Sequence, residues 1–311
     1  MVDSKKQWKA WLYLSPAILL LLVFTVWPII NTIRISFLVD YDGMKEIGGQ
    51  TFSFGFGNFI NVIQYPGFAT CLKNTILLCL ITVPLSTMIA LIISVCLNSI
   101  KPLSRVFQTI FFLPYVTNTI AIGMVFAAMF NIVGNLIGRE GEIIATVGIV
   151  NNVIEFFGGT KINWVNGGSS TWANYFVLVT YIVWNALPFK ILILLGGLQS
   201  VNKQYYDAAK VDGTSRFRTF WRITVPLLSP MIAYVVITGF IGGFKEYSSV
   251  VGIFGENMGP SNKEMNTMVG FIYDAISNNQ GKASAAALIL FLIIFAVTLV
   301  NLYVSKKRVH Y

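Results

Sequence analysis

Residues able to carry bond chemistry are scarce in this chain. The single histidine, His310, stands one residue from the C-terminus, where chain ends are ordinarily mobile, so a histidine-based triad or a zinc site has nothing to build on. Cys71, Cys79 and Cys96 lie in or beside one apolar stretch, without metal-ligand or disulfide-framework spacing, and read as packing residues. The glycine-rich P-loop pattern ending in Gly-Lys-Ser/Thr is absent, so the chain by itself cannot cradle and hydrolyse ATP in that way. No catalytic residue and no metal ligand is assigned, and the chain does not read as an enzyme. What remains is binding chemistry. Asn118 and Asn185 fall inside long apolar runs, where polar groups are costly and often line cavities.

The elements that must position them are membrane spans. Of the 311 residues, 55% are hydrophobic and 11% charged, against roughly a quarter charged in ordinary soluble domains. Whole stretches are apolar all round, which lipid explains directly. Six segments are long enough to cross a hydrocarbon core: Trp11–Leu38, Asn74–Leu97, Phe107–Phe130, Tyr175–Leu198, Val225–Phe244 and Ala285–Val304. The first follows Lys5, Lys6 and Lys9 like a signal peptide, but it is too long and no small-residue cleavage site follows. Pro16, Pro28, Pro84, Pro114 and Pro188 sit inside or at the ends of spans, where neighbouring helices can satisfy the freed carbonyls; they predict kinked helices around a pathway.

Charge gives the orientation. Of the 22 Lys and Arg residues, 13 fall in the N-terminal tail, Asn98–Val106, Gln199–Thr224 and the C-terminal tail, and only 7 in the other three loops, which are more than twice as long. Both termini and Gln199–Thr224 are therefore predicted to be cytoplasmic. The net charge of +9 then marks a cytoplasmic face and not a nucleic-acid site. The outer loop Asn131–Asn174 is long enough for small helices of its own, and its Trp164 and Trp172 suit the membrane interface.

The most informative stretch runs from Tyr205 to Pro226, Tyr-Tyr-Asp-Ala-Ala-Lys-Val-Asp-Gly-Thr-Ser-Arg-Phe-Arg-Thr-Phe-Trp-Arg-Ile-Thr-Val-Pro. It predicts a short helix, a glycine break and a second short helix leading into a span. Ala208 and Ala209 offer a low-profile surface for another protein, Gly213 can take the left-handed conformation that ends a helix, and Thr214 or Ser215 can cap the next. Phe217, Phe220 and Trp221 share one face, with Arg216, Arg218 and Arg222 around it, and Pro226 suits a first turn. The pattern alone leaves two readings open, a docking loop and a basic amphipathic helix lying at the lipid interface.

This stretch resembles the signature cytoplasmic loop of binding-protein-dependent ABC importer permeases: Glu-Ala-Ala, three residues, Gly, nine residues, Ile, any residue, Leu-Pro. Here Asp207-Ala208-Ala209, Gly213, Ile223, Val225 and Pro226 hold the same spacing, with Asp for Glu and Val for Leu. Tyr206, Asp212, Phe217 and Phe220 match the sugar-transporting branch, which includes maltose and multiple-sugar permeases. Further similar pieces are Phe24–Pro28, Ser36-Phe37, Gly57-Asn58-Phe59, Asn74-Thr75, Arg105–Pro114, Trp164 and Trp184–Gln199. The chain lacks the glycine-rich ending of one permease type, which favours the maltose-F-like type. Asn202 stands where the family often has proline, and Gly259-Pro260 keeps part of a Gly-Gly-Pro turn.

The resemblance implies an all-α integral membrane protein of the bacterial cytoplasmic membrane with the type I importer permease fold. Residues 1–10 and 305–311 would be cytoplasmic tails flanking a six-span domain at 11–304, with the coupling loop at 199–224. It implies a second permease subunit, a heterodimer, two ATP-binding subunits that hold the ATP and magnesium, and an extracellular sugar-binding protein, with no cofactor on this chain. Tyr206, Asp207, Ala208, Ala209 and Gly213 would serve docking, and Phe217, Phe220, Ile223 and Pro226 would brace the loop against the spans. Asn185, Ala186 and Phe189, following Trp184, resemble sugar-contacting positions, and Gly243 and Glu246 fall near corresponding ones. For each of these five, helix packing is the plainer alternative, as it is for Asn118.

Overall fold

The computed structural model describes residues 7–100, 104–132, 135–137, 143–145, 147–260 and 263–308; His310 and the outer ends of both expected tails lie outside these. The chain divides into two compact units, one formed by the residues up to Phe68 with Phe271–Leu292, the other by Ala69–Gly270 with the residues from Ile293 on.

In the first unit the Gln7–Leu21 helix continues through a π-helical turn, Leu22–Val26, into Trp27–Ser36. The turn falls just before Pro28, which cannot donate to the Phe24 carbonyl, a setting in which such a turn is a common relief. No part of its most apolar window is buried. The rod's end is tied down by Asn58, which is buried and donates to the carbonyls of Ser36 at 3.1 Å and Leu38 at 2.7 Å. Beyond it, Arg34 pairs with Glu46 while Tyr41 donates to the same carboxylate at 2.5 Å. The Tyr41 hydrogen bond first, and the Arg34 hydrogen bond second, hold Glu46 below the ordinary carboxylate range.

The second unit is organised around the Thr171–Ser200 helix, whose buried face carries Val177, Leu178, Tyr181, Leu194 and Leu198. Its upper half packs with Leu78, Phe130, Val250, Ile253 and Met265, and its lower half with Ala90, Leu91, Leu97, Leu228 and Val235. Asn74, three per cent exposed, is fully used: its amide donates to the carbonyls of Glu264 and Asn266, and its oxygen accepts from Tyr175. Thr75 accepts from Met268 N at 2.9 Å. The Asn74-Thr75 pair thus staples the 264–268 turn to the Phe68–Ser99 helix.

Four helices among the described residues are long and apolar enough to cross a membrane: Trp8–Ser36, Phe68–Ser99, Thr171–Ser200 and Gln280–Lys307. They answer to the expected first, second, fourth and sixth spans. The fifth is a pair, Arg216–Leu227 and Ser229–Phe244, bent by 69°. The expected third, Phe107–Phe130, is corrected to two helices, Ser104–Val116 and Thr119–Phe130. Asn118 makes the division: its side chain accepts from the amides of Ile120 and Ala121 at 2.9 and 3.2 Å, so it caps a new helix and is neither packed nor in the pathway lining. The described residues are helical as expected, apart from one short antiparallel hairpin, Asn135–Ile137 with Ile143–Ala145, in the 131–174 loop, ahead of the small helix Ile149–Phe156.

Thr119–Phe130 and Ser248–Phe254 cross glycine to glycine. A Cβ at Gly123 would lie 2.6 Å from Gly252 Cα, and one at Gly252 would lie 2.9 Å from Gly123 Cα, so the backbones touch where no side chain fits.

Candidate functional site: a polar cavity and the loop beneath its helices

Within the second unit, five helices line a cavity of about 350 Å³, a volume in the ordinary range of small-molecule sites. The Thr171–Ser200 helix turns Asn185, Ala186, Phe189 and Lys190 into it; Ser229–Phe244 contributes Thr238, Gly239, Gly242 and Gly243; Phe68–Ser99 contributes Thr82, Val83 and Ser86; Tyr115, Thr119 and Glu246 complete the wall. All five expected pathway residues, Asn185, Ala186, Phe189, Gly243 and Glu246, therefore line one space.

The glycines make room for it. A Cβ on Gly243 would stand 2.8 Å from Cys79 Sγ, so this helix lies directly on Phe68–Ser99. The aromatic surface is a stack of Tyr115 on Phe189, with centroids 5.8 Å apart and planes 18° off parallel, flanked by Tyr234 at 6.5 Å from Phe189. Hydroxyls of Thr82, Ser86, Thr119 and Thr238 surround it. Glu246 accepts from Ser249 N at 3.0 Å, which leaves acceptor capacity on the carboxylate. Lys190 reaches Ser86 and Thr87 at 2.7 and 2.9 Å. Such a site offers a flat apolar surface beside hydroxyl, amide and charged groups, the chemistry that holds a polyhydroxylated ring.

The two helices that form most of this wall are joined by the loop. Asn202 caps Lys203–Val211 by accepting from Gln204 N at 3.0 Å, so the departure from proline is a working helix start. At the other end Gly213 adopts φ +65°; its N–H bonds Lys210 O at 3.1 Å, and Thr214 N–H bonds Ala209 O at 2.9 Å. Those two bonds are a Schellman ending. Ser215 then caps Arg216–Thr219 through Arg218 N, and a π-helical turn, Phe220–Thr224, leads into Val225–Leu227 with Pro226 in the first turn.

Two expectations for this loop are corrected. Ala209 is 5% exposed and faces the protein, not outward; three residues beyond the half-buried Tyr206, it lies on the inner side of the helix. The outer face instead carries Asp207, Ala208 and Val211, the last 88% exposed. Phe217 does not brace the loop, for it stands 75% exposed, edge-on to Trp221. Phe220 does pack on the cluster of Leu194, Leu198 and Leu228, while Ile223 and Pro226 are half-buried behind it and Tyr206 is half-buried on the first helix. Asp207 pairs with Lys210 at 2.9 Å in the open, and Asp212 is the exposed C-cap residue.

Below the cavity the same helices meet again at Gly197, where a Cβ would stand 2.8 Å from Met231 Cγ and 3.0 Å from Leu228 Cδ2. The loop thus joins two helices that cross at Gly197 and go on to form the cavity wall.

The family model for the binding-protein-dependent transport system inner membrane component matches residues 82–310, and the chain belongs to that family of multi-pass membrane permeases. It is 28% identical over 304 residues to the lactose transport system permease protein LacF of Rhizobium radiobacter, covering 96% of this chain and 94% of that one. It is 29% identical over 295 residues to the arabinooligosaccharides transport system permease protein AraP of Halalkalibacterium halodurans, covering 94% and 86%. In fold it is similar to a chain of the bacterial alginate ABC transporter crystallised with an alginate pentasaccharide-bound periplasmic protein, with a TM-score of 0.78, 20% identity and 97% and 96% coverage.

Proposed function

We propose that this chain is the permease subunit of an ATP-driven importer, forming with a second permease subunit the pathway for a saccharide, an oligosaccharide in the first instance, across the cytoplasmic membrane of a bacterium. The observation that carries the reading is the connection just described: the loop with the family's spacing joins the two helices whose polar faces make the cavity. The names of LacF and AraP support a sugar as cargo, as does the stacked Tyr115–Phe189 surface beside Asn185 and Glu246.

In this mechanism the six-span order of the sequence reading holds, with both termini and residues 199–224 in the cytoplasm. Two ATP-binding subunits, which supply the ATP and magnesium, seat the exposed face of Lys203–Val211. Their closure on ATP moves that face, and the rigid rods carry the displacement past Gly197 to the cavity, turning it toward the outside, where a sugar-binding protein delivers its load. Asp207, Ala208, Val211 and Tyr206 would meet the ATPase; Gly213 sets the angle between the two short helices. An importer for a non-sugar solute would keep the loop and change the cavity chemistry, whereas a secondary transporter would have no use for the loop.

Purification of the tagged chain from its own membranes tests the reading. An ATPase subunit and a second permease should copurify, and the complex in vesicles should hydrolyse ATP faster with loaded sugar-binding protein outside. Solute uptake by this chain alone, driven by an ion gradient and indifferent to ATP, would overturn it.

A further inference from the structure

The cavity holds a cation with no anion beside it. Lys190 is 4% exposed and ends among three oxygens of one turn of the Phe68–Ser99 helix: Ser86 Oγ at 2.7 Å, Thr87 Oγ1 at 2.9 Å and Val83 O at 3.1 Å. All three are neutral. Among the described residues no carboxylate pairs with this ammonium. Glu246 opens on the same cavity but is engaged with Ser249 N. A buried charge within a span is costly unless it meets a counter-charge, and it marks a functional position by default.

The three acceptors are not equal. Val83 O already accepts from Thr87 Oγ1 at 2.7 Å and from Ser86 Oγ at 3.2 Å, so Lys190 makes its longest bond to the acceptor with least to spare. That bond can pass to a ligand oxygen without leaving the Val83 carbonyl unsatisfied. The Ser229–Phe244 helix comes close on this side: a Cβ on Gly239 would lie 3.0 Å from Val83 Cγ1 and 3.3 Å from Lys190 Nζ, so the missing side chain is what lets the ammonium border the cavity that both residues line.

Resting on the saccharide reading above, we infer that Lys190 is the anion subsite of this cavity and that the cargo is a saccharide bearing an acidic group, a carboxylate or a sulfate or phosphate ester. An oxygen of that group takes the place of Val83 O on the ammonium while Ser86 and Thr87 keep the other two hydrogen bonds. Glu246, just past the end of the Ser229–Phe244 helix and on the same cavity, accepts sugar hydroxyls and repels the acidic group, so the ligand lies in one direction only.

Trigalacturonate and galactotriose, which differ in the oxidised C6 of each unit, separate the possibilities by calorimetric titration against the permease–ATPase complex in lipid nanodiscs. The acidic trimer should bind the more tightly, with an advantage that shrinks as salt rises. Lys190→Met should weaken it by about tenfold or more, the scale of a lost charge-assisted hydrogen bond, and weaken galactotriose distinctly less. Gly239→Ala, which keeps the charge and covers the ammonium with a methyl group, should also weaken the acidic trimer selectively, and it serves if Lys190→Met fails to assemble. Equal affinity of the two trimers, or equal losses in the variants, would overturn the anion subsite and leave the saccharide reading standing. Binding of neither trimer by a folded complex would remove both.

Discussion

Gly213→Val isolates the shape of the loop. Glycine there holds φ +65° and nothing lies within 4 Å of where a Cβ would be, so a side chain meets no steric neighbour and the whole penalty is conformational. For an ordinary L-residue that penalty is about 1–2 kcal/mol, and a β-branched one is the worst case. At 1–2 kcal/mol the ratio of loops holding the Schellman ending to loops that have lost it falls by roughly 5- to 30-fold. Once it opens, the bonds from Gly213 to Lys210 and from Thr214 to Ala209 are lost, and Arg216–Thr219 no longer points along its present line. The assay is ATPase retention on the tagged permease, with uptake in reconstituted vesicles. Gly213→Val should lose most of both while the second permease still copurifies. Gly213→Asn should restore much of each, because Asn tolerates the left-handed region. Asp207→Ala is the electrostatic control: its pair with Lys210 is 67–77% exposed and such pairs contribute about 0–1 kcal/mol. Full transport by Gly213→Val with the ATPase retained would falsify the docking-loop reading and leave an interfacial helix in its place.

Three further outcomes follow from the geometry. A thiol reagent added outside intact cells should reach Gly167→Cys, at an open position, and should not reach Ser215→Cys until the membrane is permeabilised; the opposite pattern would reverse the topology. Asn185→Ala should weaken saccharide affinity by the equivalent of about 1–3 kcal/mol for a bound hydroxyl left without its partner, measured as the half-saturating concentration for uptake, and an unchanged value removes Asn185 from the site. Gly252→Ala would set a methyl 2.9 Å from Gly123 Cα, so the purified protein should melt at lower temperature by an overpacking cost of about 1–3 kcal/mol; an unchanged melting temperature would show that the crossing yields freely.

Much of this was legible in the sequence because lipid imposes strong rules. Four spans stood out since each is a single uninterrupted helix, and the cavity residues Asn185 and Glu246 were reachable through the neighbouring Trp184 and the loop's resemblance. The break at Asn118 was not legible as a cap, because an Asn inside an apolar run looks the same whether it caps or packs; only the amides of Ile120 and Ala121 decide. Thr82 and Ser86 carried no signal, since hydroxyls bonded back to their own helix are tolerated anywhere in a span. Lys190 did carry one, as a charge within an apolar run, though residue order does not show which groups surround it. The inward turn of Ala209 and the outward turn of Phe217 depended on the angle between two short helices, which the Gly213 ending fixes and which residue order does not express.

The hydrogen bonds that shape residues 202–219 run within this loop and the turn that follows it: Asn202 with Gln204, Lys210 with Gly213, Ala209 with Thr214, Ser215 with Arg218, and Arg216 with Phe220. The segment thus needs no other subunit to acquire its shape. A partner that seats it meets a rigid key already cut, and the ordering of a floppy loop is not charged against the affinity of the encounter. In the proposed mechanism the permease can then be made and inserted first and recruit its ATPase later. Release and rebinding of the ATPase leave the loop unaltered, so the same contact can be used again in each cycle.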